Sequence, residues 1–396
     1  MSLVLVTGAT GLIGSEFLRR LLAWDTDAEV ALLVRPKGAR SAGARVERLL
    51  EQMFPGAPAS ASMASRVRVF EGELDTDRLG LSDAQFNDLA SSIRSIFHFA
   101  ADVRFDLPLQ DARELQVHGT GRALGLARVA ARRGHFERFH HISTFAAGRI
   151  EGASWIPEAP PVLDRGFRNT YEQSKAEAEA LVLESAREVP VTIHRVGIVL
   201  GDSRTGWTSK FDTFYMLIRL LLEDPTILTG SFQIALPHAL LNALPLDFVA
   251  DAIYALGHLR RGPSGEILHH TAGARATPLI EGVRLAAHWY RQYMLRTGQP
   301  APGEMDYRLV EQASPAAEHA PIGDLADEVM AMVQQLMPYA FDRAVYDNEK
   351  LLAALAGTPL VPPPIGSILQ PIVEYPLRTG WGIRPEPRPP LGRPVV

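Results

Sequence analysis

The apolar positions of the first two hundred residues follow two alternating rhythms. Leu3-Val4-Leu5-Val6 is an unbroken apolar run, the mark of a strand buried on both faces of a parallel sheet. From Leu12 the apolar residues recur at helical spacing instead, through Phe17, Leu18, Leu21 and Leu22. The alternation then repeats. Strands are expected at 29–34, 66–70, 95–99, 139–143 and 191–195, with helices between them at 44–53, 84–92, 109–133 and 171–188. This order predicts an α/β chain built on a doubly wound parallel sheet. Beyond residue 205 the rhythm becomes irregular. Residues 243–256 read as a strand end running into a helix, 267–270 as a further short strand, and 325–336 and 347–356 as helices. Three parts are expected. Residues 1–205 form the doubly wound domain, 206–360 a smaller lobe interleaved with it, and 361–396 a proline-rich tail that is extended or loose.

Composition narrows the classes. A net charge of −5 without any basic run argues against a nucleic-acid partner. The chain has no cysteine, which excludes disulfides, thiolate metal sites and cysteine nucleophiles and fits a cytoplasmic protein. The first strand begins at residue 3, which leaves no room for a signal peptide. The longest apolar stretch, 214–222, is interrupted by Arg219 and is too short for a transmembrane segment.

The chemistry starts in the turn after the first strand, Gly8-Ala9-Thr10-Gly11-Leu12-Ile13-Gly14. Gly8 permits a tight exit from the strand, Gly11 lets a pyrophosphate approach bare backbone, and Gly14 lets the helix lie close. Strand, turn and helix in this order favour dinucleotide binding over a purely steric use of glycine. An NAD-binding chain would carry an acid at the end of the second strand. Here Arg35 and Arg40 stand there, and a guanidinium suits the 2′-phosphate of NADP.

Tyr171 and Lys175 sit one helical turn apart, on one face. A cation beside a phenol is expected to lower its pKa and to ready it for proton transfer, while the same lysine serves a ribose hydroxyl. Tyr346 and Lys350 repeat the spacing, but only Tyr171 follows the fifth strand, so the second copy reads as a surface helix start. Thr144, with Ser143 as the alternative, closes that fifth strand and is placed to polarise a substrate carbonyl. The pairs His140-His141 and His269-His270 point apart along a strand and read as structural or solvated, with no metal implied. Neither a Gly-x-Ser-x-Gly elbow nor a phosphate-loop Gly-Lys-Ser/Thr is present.

TGATGLIG, the Ser-Thr pair and YEQSK together resemble an extended short-chain dehydrogenase/reductase. VALLVR, GELDTDRLGLSD, IFHFAADVRF, VHGT, HRVGIVLGDSRTGW and LPLDFVADAI resemble, in order, its male-sterility or thioester-reductase branch, over about residues 3–275. PYAFDRAVYDN resembles the tail of stand-alone acyl reductases. The resemblance implies an extended Rossmann fold with a smaller C-terminal substrate lobe and residues 1–205 as its NADP-binding domain. It also implies that Glu73 and Leu74 lie beside the adenine, that Phe99, Ala100 and Ala101 line the cofactor groove, and that Val196 and Gly197 border the nicotinamide. Glu73, Val196 and Gln116 depart from the family's usual aspartate, proline and asparagine.

The expected protein is an NADPH-dependent reductase of an acyl thioester, on coenzyme A or an acyl carrier protein, to aldehyde and on to alcohol. The apolar set around Phe211, Phe214, Tyr215 and Met216–Leu222 would pack in part on the core and face an acyl tail in part. The alternatives are a ketone or hydroxysteroid-type dehydrogenase, a sugar-nucleotide epimerase, and a non-catalytic NADP-binding sensor.

Overall fold

A computed structural model of the chain describes residues 3–211, 215, 218–219, 232–234, 239–259, 262–301, 307–309, 339 and 342–396. Seven parallel strands form the central sheet: β1 Leu3–Thr7, β2 Glu29–Val34, β3 Val67–Glu71, β4 Ile93–His98, β5 Arg138–Thr144, β6 Val191–Val196 and β7 Glu266–His270. Their order across the sheet is β7-β6-β5-β4-β1-β2-β3. The order reverses between β1 and β4, so the carboxyl end of β1 opens onto the crevice where such sheets bind ligands.

Helices cover both faces. On one, α1 (Leu12–Trp24), α2 (Ala42–Met53) and α6 (Leu246–Leu259) bury Phe17, Leu18, Leu21, Val46, Leu50, Val249 and Ile253 against Val4, Val6, Val30 and Leu32. On the other, α3 (Asp83–Ser92), α4 (Gly119–Arg132) and α5 (Thr170–Glu184) cover Leu3, Leu5, Ala31 and Leu33. The expected long helix at 109–133 is present, but it holds a π-helical turn at Glu114–His118 between Leu109–Arg113 and α4. Such turns recur at functional sites. Here it carries Gln116, whose amide donates to the Asp102 carbonyl at 2.5 Å.

A third apolar cluster lies beyond the sheet. It joins Tyr215, Ile218 and Leu241 to α7 (Leu279–Arg296) and α8 (Leu369–Thr379). The region expected as an extended tail therefore opens with a helix. Pro371 sits in the first turn, where its missing N–H costs nothing, and Gly380 ends α8 in a left-handed conformation. The last residues do run extended, over α1. Arg388 pairs with Glu16 at 2.6 Å and lies 4.8 Å over the Trp207 ring, and Trp207 Nε1 donates to the Glu386 carbonyl at 3.2 Å. The helix expected at 325–336 lies outside the described residues. Among the described residues no helix is long and apolar enough to cross a membrane.

Tyr346 is not at a surface helix start. It belongs to a two-residue strand, Val345–Tyr346, that pairs with Trp155–Ile156, and it is fully buried between Phe145 and His269. Its hydroxyl donates to Asp342 at 2.9 Å. Asp347 follows it in the chain. Its backbone extends the strand pairing through a bond to the Ile156 carbonyl.

Candidate active site

The turn after β1 is shaped by two close approaches. Gly8 has φ +71°, and a Cβ there would lie 2.5 Å from Ala100 N. A Cβ on Gly14 would meet the Gly8 carbonyl at 2.4 Å, so the helix start and the strand exit touch through bare backbone. Gly11 caps α1 without a side-chain bond, and no acid stands in the first turn. The first N–H groups of a thirteen-residue helix thus open onto a groove with no carboxylate to compete for them. A pyrophosphate fits this cradle.

Two adjoining cavities run along the carboxyl edge of the sheet and share Gly8, Gly11, Phe99, Ala101 and Lys210. The first, of about 430 Å³, holds the expected Ala9, Thr10, Arg35, Glu73, Leu74 and Ala100. Arg40 lines neither cavity. The turn it closes, with mutual backbone bonds to Lys37 at 3.0 and 3.2 Å, leaves it exposed. Arg45, from the first turn of α2, takes its place. Its guanidinium donates to the Arg35 carbonyl and, at 3.3 Å, to Thr10 Oγ1. Burial, and then the neighbouring Arg35, hold Arg45 below the usual guanidinium pKa. Lys37 adds a third cation, so this end of the groove fits a phosphate on the adenosine ribose.

The second cavity, of about 370 Å³, brings Ser143, Thr144, Tyr171 and Lys175 together with Leu12, Ile13, Gly14, Val196 and Gly197. Thr144 accepts from Ala146 N–H at 3.4 Å, and its hydroxyl hydrogen-bonds the Tyr171 phenol. Ser143 is buried with no partner for its Oγ, a polar atom left available at the same wall. Lys175 is buried and donates to the Ile142 carbonyl at 2.7 Å.

The expected lowering of the phenol pKa is reversed. Burial pushes Tyr171 up to about 12, against the Thr144 hydrogen bond, and the charge of Glu172 adds to the rise. Burial also brings Lys175 down to about 8, with Glu179 opposing. Desolvation therefore outweighs the cation one turn away, and Tyr171 stands protonated at neutral pH.

The start of α5 is fixed from several sides. Asn169 caps the helix by accepting from Glu172 N–H at 2.9 Å, while its side-chain amide donates to Tyr339 Oη at 2.9 Å. Thr170 Oγ1 donates to the carbonyls of Phe105 and Leu107 at 3.3 and 2.8 Å. Glu172 is buried among Arg149, Arg165 and Arg168, and Arg168 pairs with Asp342 at 2.7 Å.

The apolar side of the second cavity comes from places the sequence reading missed: Val103, Phe105, Ile198, Val199, Leu240, Leu241, Leu279 and Tyr339. Of the set at 211–222, Phe211 packs on Tyr375 and Trp381, and Tyr215 and Ile218 lie in the third cluster. The Tyr215 hydroxyl accepts from Gly201 N–H at 2.7 Å. Phe214, Met216, Leu217 and Leu220–Leu222 lie outside the described residues.

The paired histidines are buried. His140, His194 and His270 form a hydrogen-bonded row across β5, β6 and β7, with spacings of 3.0 and 2.9 Å, and His141 faces the opposite side near His98. Among the described residues no group of histidines and acids is arranged to hold a metal ion.

The sequence profile of the male sterility protein family matches residues 6–253. An isonitrile lipopeptide synthase of Streptomyces coeruleorubidus is 32% identical over 271 residues, which cover 67% of this chain and 17% of that protein. The fatty acyl-CoA reductase wat of Drosophila melanogaster is 28% identical over 240 residues, covering 54% of this chain and 46% of that one. The chain thus spans less than half the length of either relative. The terminal R domain from the myxalamid PKS-NRPS biosynthetic pathway superposes with a TM-score of 0.75 at 27% identity, covering 98% of this chain and 93% of that one. With a seven-stranded extended Rossmann sheet, a glycine turn at its switch point and this profile over most of its length, the chain belongs to the male sterility protein family of nicotinamide-dependent oxidoreductases.

Proposed function

We propose that the protein reduces an acyl thioester to an aldehyde with NADPH, the acyl group arriving on coenzyme A or on a carrier protein. One observation carries the reading. Ser143, Thr144, Tyr171 and Lys175 line a single cavity that adjoins the glycine turn at one end and is walled by aliphatic and aromatic side chains at the other.

The Gly8–Gly14 turn would hold the pyrophosphate, Arg35, Lys37 and Arg45 the 2′-phosphate, and Lys175 the ribose of the nicotinamide half. Glu73 and Leu74 would flank the adenine, Phe99, Ala100 and Ala101 the groove, and Val196 and Gly197 the nicotinamide. NADPH supplies the hydride that adds to the carbonyl carbon. Thr144 and Ser143 hold the carbonyl oxygen, and the protonated Tyr171 gives it a proton as charge develops there. Lys175, fixed on the Ile142 carbonyl, keeps a positive charge near the phenolate left behind. The hemithioacetal then collapses to aldehyde and free thiol, and a second round on the aldehyde yields alcohol. The names of the relatives support the substrate class: one is a fatty acyl-CoA reductase, another a lipopeptide synthase.

The test is NADPH oxidation assayed over acyl-CoAs, aldehydes and ketones, with thiol release followed in parallel. Each methylene held in the apolar end contributes roughly 0.8 kcal/mol, so kcat/KM should climb with tail length until the cavity is full. NADPH consumed with ketones alone, and no thiol from any thioester, would move the protein to the ketone-reductase reading.

A further inference from the structure

Three consecutive residues at the start of α5 each fix a different part of the second cavity. Asn169 holds Tyr339, Thr170 holds the loop that carries Phe105, and Tyr171 is the proton donor of the proposed reaction. The three rings form one cluster, with Phe105 stacked on Tyr339 and tilted by 51° to Tyr171. Phe105 lies 5.5 Å from Tyr171, and 5.4 Å from Tyr339 at an interplanar angle of 20°. Arg168 closes the outer side of Tyr339, 4.8 Å from its ring. The hydroxyl of Tyr339 accepts from the Asn169 amide at 2.9 Å, and with Phe105 and Arg168 against the ring its orientation is fixed while one side lines the cavity.

We propose that Tyr339 is a specificity-determining residue, which with Phe105 forms an aromatic wall that selects the acyl segment next to the thioester. The rest of that end of the cavity is Val103, Leu240, Leu241 and Leu279. Among the described lining residues the charged side chains are Lys175, at the reacting end, and Lys210, which the nucleotide groove shares, so the wall reads an apolar tail by shape and contact area. Tyr339 lies beyond residues 6–253, the span matched by the family profile. The wall is thus anchored on the start of the catalytic helix through Asn169 and Thr170 and takes one of its two rings from outside that span, which lets tail preference vary while Tyr171 stays in register. The inference rests on the thioester-reductase reading for the identity of its substrate, not for the position of the wall.

The experiment compares the unmodified chain, Tyr339→Ala and Tyr339→Phe, with NADPH and acyl-CoAs of increasing tail length and branching. Tyr339→Ala should lose about tenfold in kcat/KM, mostly as KM, on linear tails long enough to reach the wall. Acetyl-CoA should lose far less, and branched tails should gain relative to linear ones. Tyr339→Phe keeps the ring and should keep the order of preference. The dissociation constant for NADPH should stay within about twofold in both variants, since the ring lies at the opposite end from the nucleotide cradle. Phe105→Leu, from the other side of the stack, should tilt the profile in the same direction and covers the case in which Tyr339→Ala fails to fold. A uniform loss on every tail, acetyl included, would show Tyr339 to be only structural and would overturn the proposal, as would an unchanged profile. If the unmodified chain releases no thiol from any acyl-CoA, the thioester reading falls. The same comparison on aldehydes of increasing length still decides the wall.

Discussion

Acidification should unfold this protein well above the pH at which carboxylates titrate. The cause is six histidines, His98, His140, His141, His194, His269 and His270, all buried and all held below the ordinary value of 6.5 first of all by desolvation. For His98, His140 and His270 the folded value is about 3. A base with a depressed folded pKa contributes stability that is present above its unfolded pKa and is lost as pH falls below it. The unfolded chain takes up protons from pH 6.5 downward while the folded chain does not. At pH 5.5 each such group costs about 1.4 kcal/mol, or about 8 kcal/mol for the six.

Acids raised by burial act in the opposite sense, and Asp247 is one of them. Burial raises Glu158 to about 7 and Asp251 to about 6, so both favour the folded state as pH falls through those values. Their offset is about 3 kcal/mol at pH 5.5, leaving a net loss of about 5 to 6 kcal/mol from pH 8. That equals the whole stability of many domains. Urea unfolding followed by circular dichroism at half-unit steps from pH 8 to 5 should show the fall, steepest below pH 6.5. A change of less than about 2 kcal/mol over that interval would mean that the histidine row is protonated or solvated in the folded protein.

Further outcomes follow from single contacts. Arg45→Ala should weaken NADPH relative to NADH by about tenfold, and the double variant with Arg35→Ala by about a hundredfold, since a charge-assisted bond contributes about 1.5–3 kcal/mol. Calorimetric titration of both cofactors checks it, and unchanged discrimination in the double variant would rule out these guanidiniums. Arg388→Ala breaks a pair with Glu16 in which both side chains are 6% exposed. Glu16 keeps Arg20 at 2.7 Å, so the loss should be about 3 kcal/mol or less, read as a lowered Tm with activity retained at low temperature. Lys175→Ala should impair both NADPH binding and turnover, which separate measurements of Kd and kcat would show.

Most of the sheet was legible in the sequence because its strands are buried on both faces. The run at 29–34 is apolar after Glu29, and 191–195 sets Val191 and Ile193 between polar neighbours just after Pro190, and the limits of both fall within a residue of the observed strands. The glycine turn and the Tyr171–Lys175 pair were legible for a related reason: a backbone that must be bare and a spacing fixed by the helix leave local marks. Two of the misses share a non-local cause. Arg45 reaches the groove only because α2 returns over β2, and Tyr339 only because a late segment packs on the start of α5. The α8 helix was hidden by Pro371 and Pro376, one of them tolerated at a helix start. The α7 helix did carry a signal, in Ile280, Ala286, Ala287 and Tyr290 on one face, that alternating small and large residues made faint. The direction of the Tyr171 pKa was misjudged because the sequence shows the neighbouring lysine and not the depth of burial.

The most direct test of the account is the rate of thiol release from a long-chain acyl-CoA by Tyr171→Phe, under saturating NADPH whose binding is measured on the same sample. Removing the one transferable proton should lower kcat by about a hundredfold or more, the usual contribution of a positioned general acid. NADPH affinity should be nearly unchanged, because the phenol lies at the carbonyl end of the groove and Lys175 keeps its bond to Ile142. Thiol release at the unmodified rate would contradict the account, since the proton would then come from a group other than Tyr171.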